Sequence, residues 1–335
     1  MFTRPIHRRK WLATAGSCAA ATWLTALPGS RIGADDRKKK KEELYGPPRE
    51  RLGSSRTQPY NVGIEVTAMN GPIGALFATI PVPVEWPEQQ VRLDNEEFSP
   101  SIRDVRYRQL DHRIRQMLVS IPALPPGETA RAVLRLEIER WSILPPEDPT
   151  RYQSIKRLPK PARGYLGSGP LIETRSSKIR EQGRIWSRQK LQGWELVETV
   201  YDWVRDNIRV VEGEKPKGAL KALEARQGHY EDVTGLFVAL CRTVKIPARM
   251  VFLPKMTYAE FLLADADGRP EWLPCRVAGE REIGGVNEFR PILQKGDRVR
   301  VPEKKDPLRF VGEYVRGKKL RGGGKPKIRF IRELN

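Results

Sequence analysis

The residue types that most often carry nucleophilic or acid–base chemistry are scarce in this chain of 335 residues. Its only cysteines are Cys18, Cys241 and Cys275, and its only histidines are His7, His112 and His229. Their spacing does not fit a zinc site, and we expect neither a metal nor another cofactor. Cys18 lies in an N-terminal segment that we expect to be removed. The two remaining cysteines could therefore form at most one disulfide. A cysteine next to a histidine base would make an acyl-transfer nucleophile, so the context of each candidate decides the chemistry.

The most distinctive stretch runs from Gly218 to Val251 and reads GALKALEARQGHYEDVTGLFVALCRTVKIPARMV. Its apolar residues recur at helical spacing between a Gly-His-Tyr turn and an Ile-Pro-Ala-Arg exit. The stretch resembles the core of the transglutaminase-like superfamily, in which a G-x-C-x-D turn opens a helix of a papain-like Cys-His-Asp site. The segment from Tyr201 to Ile208 resembles the Y-x-W-V-x-x-N-I helix that precedes this core.

The resemblance implies three catalytic positions, and all three carry other residues. Tyr230 stands at the nucleophile, Met256 at the histidine of H-x-W-x-E-F-Y, and Arg276 at the acid of W-x-P-x-D. A phenol with a pKa near 10 is a poor nucleophile at neutral pH, and methionine cannot accept a proton. We therefore expect a pseudoenzyme whose former cleft binds a protein, peptide or glycan without turnover. The other residues expected in this cleft are His229, Asp232, Tyr258, Glu260, Trp272 and Cys275.

An altered cysteine-type protease or acyltransferase is the alternative. In that interpretation His229 beside Tyr230, or Cys275 with another base, would carry the reaction. Adjacent side chains in a tight turn usually diverge, and Cys241 falls where the family pattern has a buried cysteine. The loss of all three catalytic positions is harder to reconcile with acyl transfer than the loss of one, which favours the inactive protein.

The elements that must position these residues predict an α+β fold with two folded parts. Residues 61–145 contain short alternating segments, such as Leu134, Leu136 and Ile138, and predict a small antiparallel β-sandwich. Residues 146–180 predict a connecting segment. Residues 181–293 predict the transglutaminase-like domain, which includes an amphipathic helix from Trp194 to Val210. Residues 294–335 predict a basic C-terminal extension that ends in a strand.

The N-terminal residues predict an exported protein. Residues 1–34 combine a basic start, the pair Arg8-Arg9 and a short apolar run, and they resemble a twin-arginine signal peptide. We expect a periplasmic or cell-envelope location without a membrane span after signal removal, and an uncleaved N-terminal anchor is the alternative. Residues 35–60 include Arg37 followed by four lysines, and they predict a disordered basic linker.

The net charge of +20 favours anionic partners. After Gln294 there are 14 Lys and Arg against 5 Asp and Glu, which suggests docking on an anionic surface or cell-envelope polymer. The simpler interpretation is a solvated C-terminus, because the cations alternate with strand-forming apolar residues. The sequence contains no specific nucleic-acid module. The partner is otherwise expected to be a protein or peptide of unknown identity.

Overall fold

The computed structural model describes residues 46–213, 215–318 and 323–334, and the predicted signal peptide lies outside them. These ranges contain four α-helices, which are α1 (Ser177–Arg188), α2 (Gly193–Asn207), α3 (Ala219–Ala225) and α4 (Tyr230–Thr243). They also contain the strands β1 (Leu52–Ala68), β2 (Leu76–Val82), β3 (Gln89–Phe98), β4 (Asp104–Gln109), β5 (Arg115–Ile121), β6 (Thr129–Ile143), β7 (Arg209–Val210), β8 (Gln227–Gly228), β9 (Ala248–Leu253), β10 (Met256–Ala264), β11 (Pro270–Arg276), β12 (Glu282–Ile283), β13 (Gln294–Lys295), β14 (Tyr314–Gly317) and β15 (Pro326–Leu334). The predicted α+β class is confirmed.

Two antiparallel sheets of four strands form the β-sandwich. Their strand orders are β15-β1-β6-β3 and β14-β2-β5-β4. Alternate residues of each strand point inward, so Ile64 of β1, Ile80 of β2 and Val119 of β5 share one buried core. The alternation of Leu134, Leu136 and Ile138 arises in the same way, because all three lie on the buried face of β6.

The sandwich begins earlier than the sequence suggests. The prediction of a disordered linker is wrong for residues 52–60, because β1 starts at Leu52 and pairs with β6 along its length. Most of this first half of β1 is exposed, which gives it the polar composition of a linker. Just before it, the buried Arg51 forms an ion pair with Glu271 of β11, so this segment holds the two parts of the molecule together.

The C-terminal residues complete the sandwich. β15 pairs with β1, and β14 pairs with β2. The predicted terminal strand is therefore present, but the prediction of a separate extension is wrong. Arg329 pairs with Glu65 and Arg332 with Glu313, so part of the basic charge near the C-terminus is balanced within the sandwich.

The second part has an antiparallel sheet in the order β12-β11-β10-β9-β13, with helices packed on one face. The predicted helix from Trp194 to Val210 corresponds to α2. In β10, Ala259, Phe261 and Leu263 belong to the core shared with the helices. The alternate residue Tyr258 packs instead with Trp86 and Ile143 on the opposite side of the sheet.

The predicted connecting segment is packed against both neighbours. On the sandwich side, the hydroxyl oxygen of Tyr165 lies 2.6 Å from the Nδ1 atom of His112. Tyr152 donates a hydrogen bond to Glu271 at 2.7 Å, and Gln153 forms a β-bridge with Ala264. The segment also includes the start of α1 at Ser177, and β13 lies just beyond the predicted end of the domain at residue 293. No helix of the described residues is long and apolar enough to cross a membrane.

Candidate functional site

Tyr230 is the first residue of α4, and His229 caps this helix. The Nδ1 atom of His229 accepts a hydrogen bond from the backbone N–H of Glu231 at 3.3 Å. Gly228 fits before the cap because a Cβ there would lie 3.0 Å from the Cβ of Asp232. The rings of His229 and Tyr230 are 3.9 Å apart. Burial, followed by the nearby Glu231 carboxylate, raises the pKa of Tyr230, so its phenol is protonated at neutral pH.

Asp232 is buried and binds backbone rather than a ligand. Its Oδ1 atom accepts hydrogen bonds from the N–H groups of Lys217 at 2.9 Å and Gly218 at 2.7 Å. These bonds tie the residues before α3 to the first turn of α4. The structure therefore gives this predicted cleft residue a role in holding the turn that presents Tyr230.

Met256 and Arg276, two positions of the expected triad, contact one ion pair, Glu288–Arg290. The Nη2 atom of Arg290 is 3.0 Å from the Sδ atom of Met256 and 2.7 Å from Oε2 of Glu288. The same carboxylate oxygen is 3.6 Å from Nη2 of Arg276. The charge of Arg290 also acts on the phenol of Tyr230, whose pKa it lowers against the stronger effect of burial.

Glu288 is the electrostatic centre of this group. Burial by itself would raise the pKa of the Glu288 carboxyl, but hydrogen bonds from Arg290 and the charge of Arg276 hold it below its usual range. Its Oε1 atom also accepts the backbone N–H of Arg290 at 2.9 Å. Arg276 forms a second ion pair with Glu282 at 2.7 Å. The charges of these acidic and basic side chains are thus paired with one another within the protein.

Sequence reasoning missed Glu288 and Arg290. They lie in an irregular segment between β12 and β13, where neither helical nor strand periodicity indicates which side chains point inward. The alternation of acid and cation two residues apart was the only available signal, and it is common on protein surfaces.

The two cysteines of the described residues are both free and fully buried. Burial raises the pKa of the Cys241 thiol and places that of Cys275 well above its usual value. A reactive cysteine needs a stabilised thiolate and access to its substrate. Neither Cys241 nor Cys275 has these properties.

Tyr258, Glu260 and Trp272 make their contacts on the side of the sheet that faces away from the helices. Tyr258 accepts a hydrogen bond from Arg140 of the sandwich at 3.2 Å, and Glu260 accepts one from Arg249 at 2.6 Å. The guanidinium of Arg249 lies 4.1 Å from the Trp272 ring centroid. The structure thus does not bring these three predicted cleft residues to Tyr230.

Two sizeable cavities lie elsewhere, and Tyr230, Met256 and Arg276 line neither of them. The first is a groove of about 750 Å³ beside α1 and the end of α4. The second has a volume of about 300 Å³ and lies between the sandwich and the sheet of the second part. Across residues 46–213, 215–318 and 323–334, no group of three or more His, Cys, Asp or Glu side chains is arranged to hold a metal ion.

The helix and sheet that carry these residues match a known family. Residues 183–280 match the model of the transglutaminase-like superfamily core. They form a transglutaminase-like domain. The match covers α2 to β11, and therefore includes all three positions discussed above.

One solved structure shows a similar fold over a larger part of the chain. A crystal structure of a putative cysteine protease from Cytophaga hutchinsonii is similar at a TM-score of 0.54 and 12% identity, covering 83% of this chain and 99% of that one. A putative protease from Parabacteroides distasonis has a TM-score of 0.27 and 11% identity, covering 66% of this chain and 47% of that one. No curated protein has a significant match to this sequence.

Proposed function

We propose that this protein is a catalytically inactive member of the transglutaminase-like group that binds a partner without turnover. The observation that carries the proposal is the Glu288–Arg290 ion pair, which contacts Met256 and Arg276 and whose Arg290 charge acts on Tyr230. A papain-like reaction needs a thiolate, a base and an orienting acid. In this group the three positions offer a protonated phenol, a thioether and a guanidinium.

The alternative of an altered enzyme has less support. His229 has its Nδ1 atom in the helix cap, and Cys275 is fully buried with a raised pKa. Either residue would have to leave its place in the fold before it could act on a substrate.

A turnover assay distinguishes these two functions. The full chain and its Tyr230→Phe, His229→Gln and Cys275→Ala variants are incubated with a panel of peptide and glutamine-amide substrates, and released amine is measured. We expect no turnover by any of them. Turnover by the parent that one of these substitutions abolishes would establish an altered enzyme and contradict the proposal.

A second candidate function is the binding of an anionic cell-envelope polymer in the groove of about 750 Å³. Five of its lining cations form no ion pair with a described residue, and Asp306 is its one lining carboxylate; the cations are Arg175, Arg180, Arg184, Lys245 and Arg298. Like charges grouped without counter-ions repel one another, and a polyanion would relieve this repulsion. This groove, more than the C-terminal strands, is where the charge remains unbalanced.

Cosedimentation with isolated bacterial cell-wall material tests this candidate. We expect binding at low salt, its loss at high salt, and strong weakening in Arg180→Glu/Arg184→Glu. The matched control, Lys325→Glu/Lys327→Glu, makes the same charge change on and beside the exposed β15. Equal weakening by both double variants, or salt-independent sedimentation, would contradict binding in the groove.

Export is part of the proposal, and residues 1–34 support it by their signal-like composition. Expression of the full chain in a bacterium with a functional twin-arginine pathway, followed by fractionation and N-terminal sequencing, tests it. We expect a processed chain outside the cytoplasm that begins near residue 35. An intact cytoplasmic chain would contradict export, and an intact chain in the membrane fraction would indicate the uncleaved anchor.

A further inference from the structure

The cavity of about 300 Å³ lies where the sandwich, the connecting segment and the transglutaminase-like sheet meet. Its aromatic lining comes from all three parts, with Trp86 and His112 from the sandwich, Tyr165 from the connecting segment and Trp272 from β11. The volume is at the lower end of the range for small-molecule sites. This cavity is separate from the Glu288–Arg290 group, and the inference below does not depend on the proposed function.

A chain of buried charges forms the inner end of the cavity. The Nζ atom of Lys295 is 2.5 Å from a carboxylate oxygen of Glu88 and 2.5 Å from one of Glu260. The Nε atom of Arg249 is 2.6 Å from the other Glu260 oxygen. Arg140 continues the chain, because it donates to the backbone oxygen of Glu88 at 3.0 Å. Lys295 and Arg249 themselves line the cavity.

This chain carries one unbalanced positive charge. Its three cations, Arg140, Lys295 and Arg249, face two carboxylates, and all five side chains are almost fully buried. The neighbouring Arg242 and Asp297 balance each other in an ion pair at 2.6 Å. At the cavity mouth, Asp111 and Arg113 have opposite charges. An uncompensated charge in a protein interior is costly, so a single negative charge in the cavity would be favourable.

The aromatic residues stabilise the cations only in part. Arg249 stacks on Trp272, with 4.1 Å from its guanidinium carbon to the ring centroid, and Nζ of Lys295 is 5.1 Å from the centroid of Trp86. Such contacts contribute less than a full counter-charge. Tyr165 packs edge-on against Trp272 at 5.2 Å, which extends the apolar wall of the cavity.

Besides the unbalanced charge, the buried indole N–H of Trp86 also indicates a ligand. Its side chain is 7% exposed and lines the cavity, and its indole N–H has no hydrogen-bond acceptor among the described residues. A buried donor without an acceptor costs free energy. A ligand oxygen in the cavity would satisfy this donor and, if charged, also balance the cations.

We propose that the cavity binds a small cyclic monocarboxylate. Its carboxylate lies near Arg249 and Lys295 and accepts the Trp86 N–H, and its ring packs against the wall formed by Tyr165 and Trp272. The single charge matches the single unbalanced cation, and the ring matches the aromatic lining. Because the cavity walls come from both parts of the fold, such a ligand would also fasten the sandwich to the transglutaminase-like domain.

Titration calorimetry and thermal denaturation of the full chain test the proposal with benzoate, cyclohexanecarboxylate, and neutral benzamide as the matched control. We expect one site for each carboxylate, a rise in melting temperature with carboxylate concentration, and at least tenfold weaker binding of benzamide. Equal binding of benzoate and benzamide, or no binding of either carboxylate, would overturn the proposal. This comparison needs no substitution, so it is independent of any folding defect in a variant.

Two Trp→Phe variants then locate the site. Trp86→Phe keeps an aromatic ring but removes the N–H donor, and we expect about tenfold weaker benzoate binding, as for the loss of one hydrogen bond to a charged group. Trp141→Phe makes the same change at a partly exposed strand residue that does not line the cavity. Unchanged affinity in Trp86→Phe, or equal losses in the two variants, would rule out this cavity as the site.

Discussion

The Nη2 atom of Arg290 lies 3.0 Å from the Sδ atom of Met256. The same guanidinium is bound by Glu288, which also faces Arg276, and its charge acts on Tyr230. Residues from the start of one strand and the end of the next therefore contact the same ion pair.

The helix N-terminus at Tyr230 should still favour a thiolate. We expect the thiol of a Tyr230→Cys variant, made in a Cys18→Ser chain, to have a pKa at least about one unit below the usual 8.5, because the helix dipole and Arg290 stabilise the anion. The pH dependence of alkylation by iodoacetamide measures it. Gln90→Cys, on an exposed strand residue, is the control and should titrate normally. Equal pKa values for the two thiols would show that Tyr230 does not occupy a nucleophile position.

Removal of the Glu260 charge should destabilise the protein strongly. Glu260→Gln leaves Lys295 and Arg249 with only Glu88 as a counter-ion, and breaking a buried pair in this way costs about 3–5 kcal/mol. Urea denaturation of the variant and parent gives the difference in free energy of unfolding. The same substitution at the half-exposed Glu137, which pairs with Arg92, should have no measurable effect. A small effect at Glu260 would mean that water reaches these cations.

Asp232 should matter for stability more than its surface-like sequence context suggests. Asp232→Ala removes the carboxylate that accepts hydrogen bonds from the N–H groups of Lys217 and Gly218, and we expect a loss of about 2 kcal/mol in the free energy of unfolding. Asp232→Asn retains one acceptor oxygen and should lose less. Chemical denaturation of both variants is the measurement, and equal stability of Asp232→Ala and the parent would refute this role.

His112 should make the protein less stable in mild acid. Burial lowers the pKa of its imidazole below the ordinary 6.5, although Asp297 opposes this effect and Arg249 adds to it. The unfolded chain therefore takes up a proton at a pH where the folded protein does not. The stabilisation by neutral His112 is complete above pH 6.5 and is lost as the pH falls through the interval below it.

The measurement is the free energy of unfolding of the parent and of His112→Gln between about pH 7.5 and 5. We expect the difference between the two proteins to shrink as the pH falls. A constant difference across this range would contradict the assignment.

The sequence predicted those elements whose periodicity reflects burial on one face. α2 and β6 were found for this reason. β3 was missed because most of its residues are exposed, so its sequence does not alternate. The first half of β1 was assigned to a linker, and the terminal strand β15 was predicted but not as part of the sandwich, because the polar residues of both are stabilised by pairing with strands distant in sequence.

In the candidate site too, the sequence indicated what depends on local patterns and missed what depends on contacts between distant residues. The assignment of Tyr230, Met256 and Arg276 to the triad positions came from local sequence patterns, and of these three Met256 and Arg276 contact the Glu288–Arg290 pair. The Lys295–Glu88 contact joins residues 207 positions apart, and no local pattern predicts such a pair. The side of the sheet reached by Tyr258 and Glu260 likewise depends on where the sandwich packs.

The claim that the transglutaminase-like site is inactive is tested most directly by comparing the electrophile labelling of two proteins in their folded state. The Cys18→Ser chain and its Tyr230→Cys/Met256→His variant are treated with iodoacetamide, and labelled positions are identified by mass spectrometry across a range of pH. We predict rapid, pH-dependent labelling of the introduced thiol in the variant and none of Cys241 or Cys275 in the parent before denaturation. Rapid labelling of Cys275 in the native parent would contradict the claim that this transglutaminase-like site is inactive.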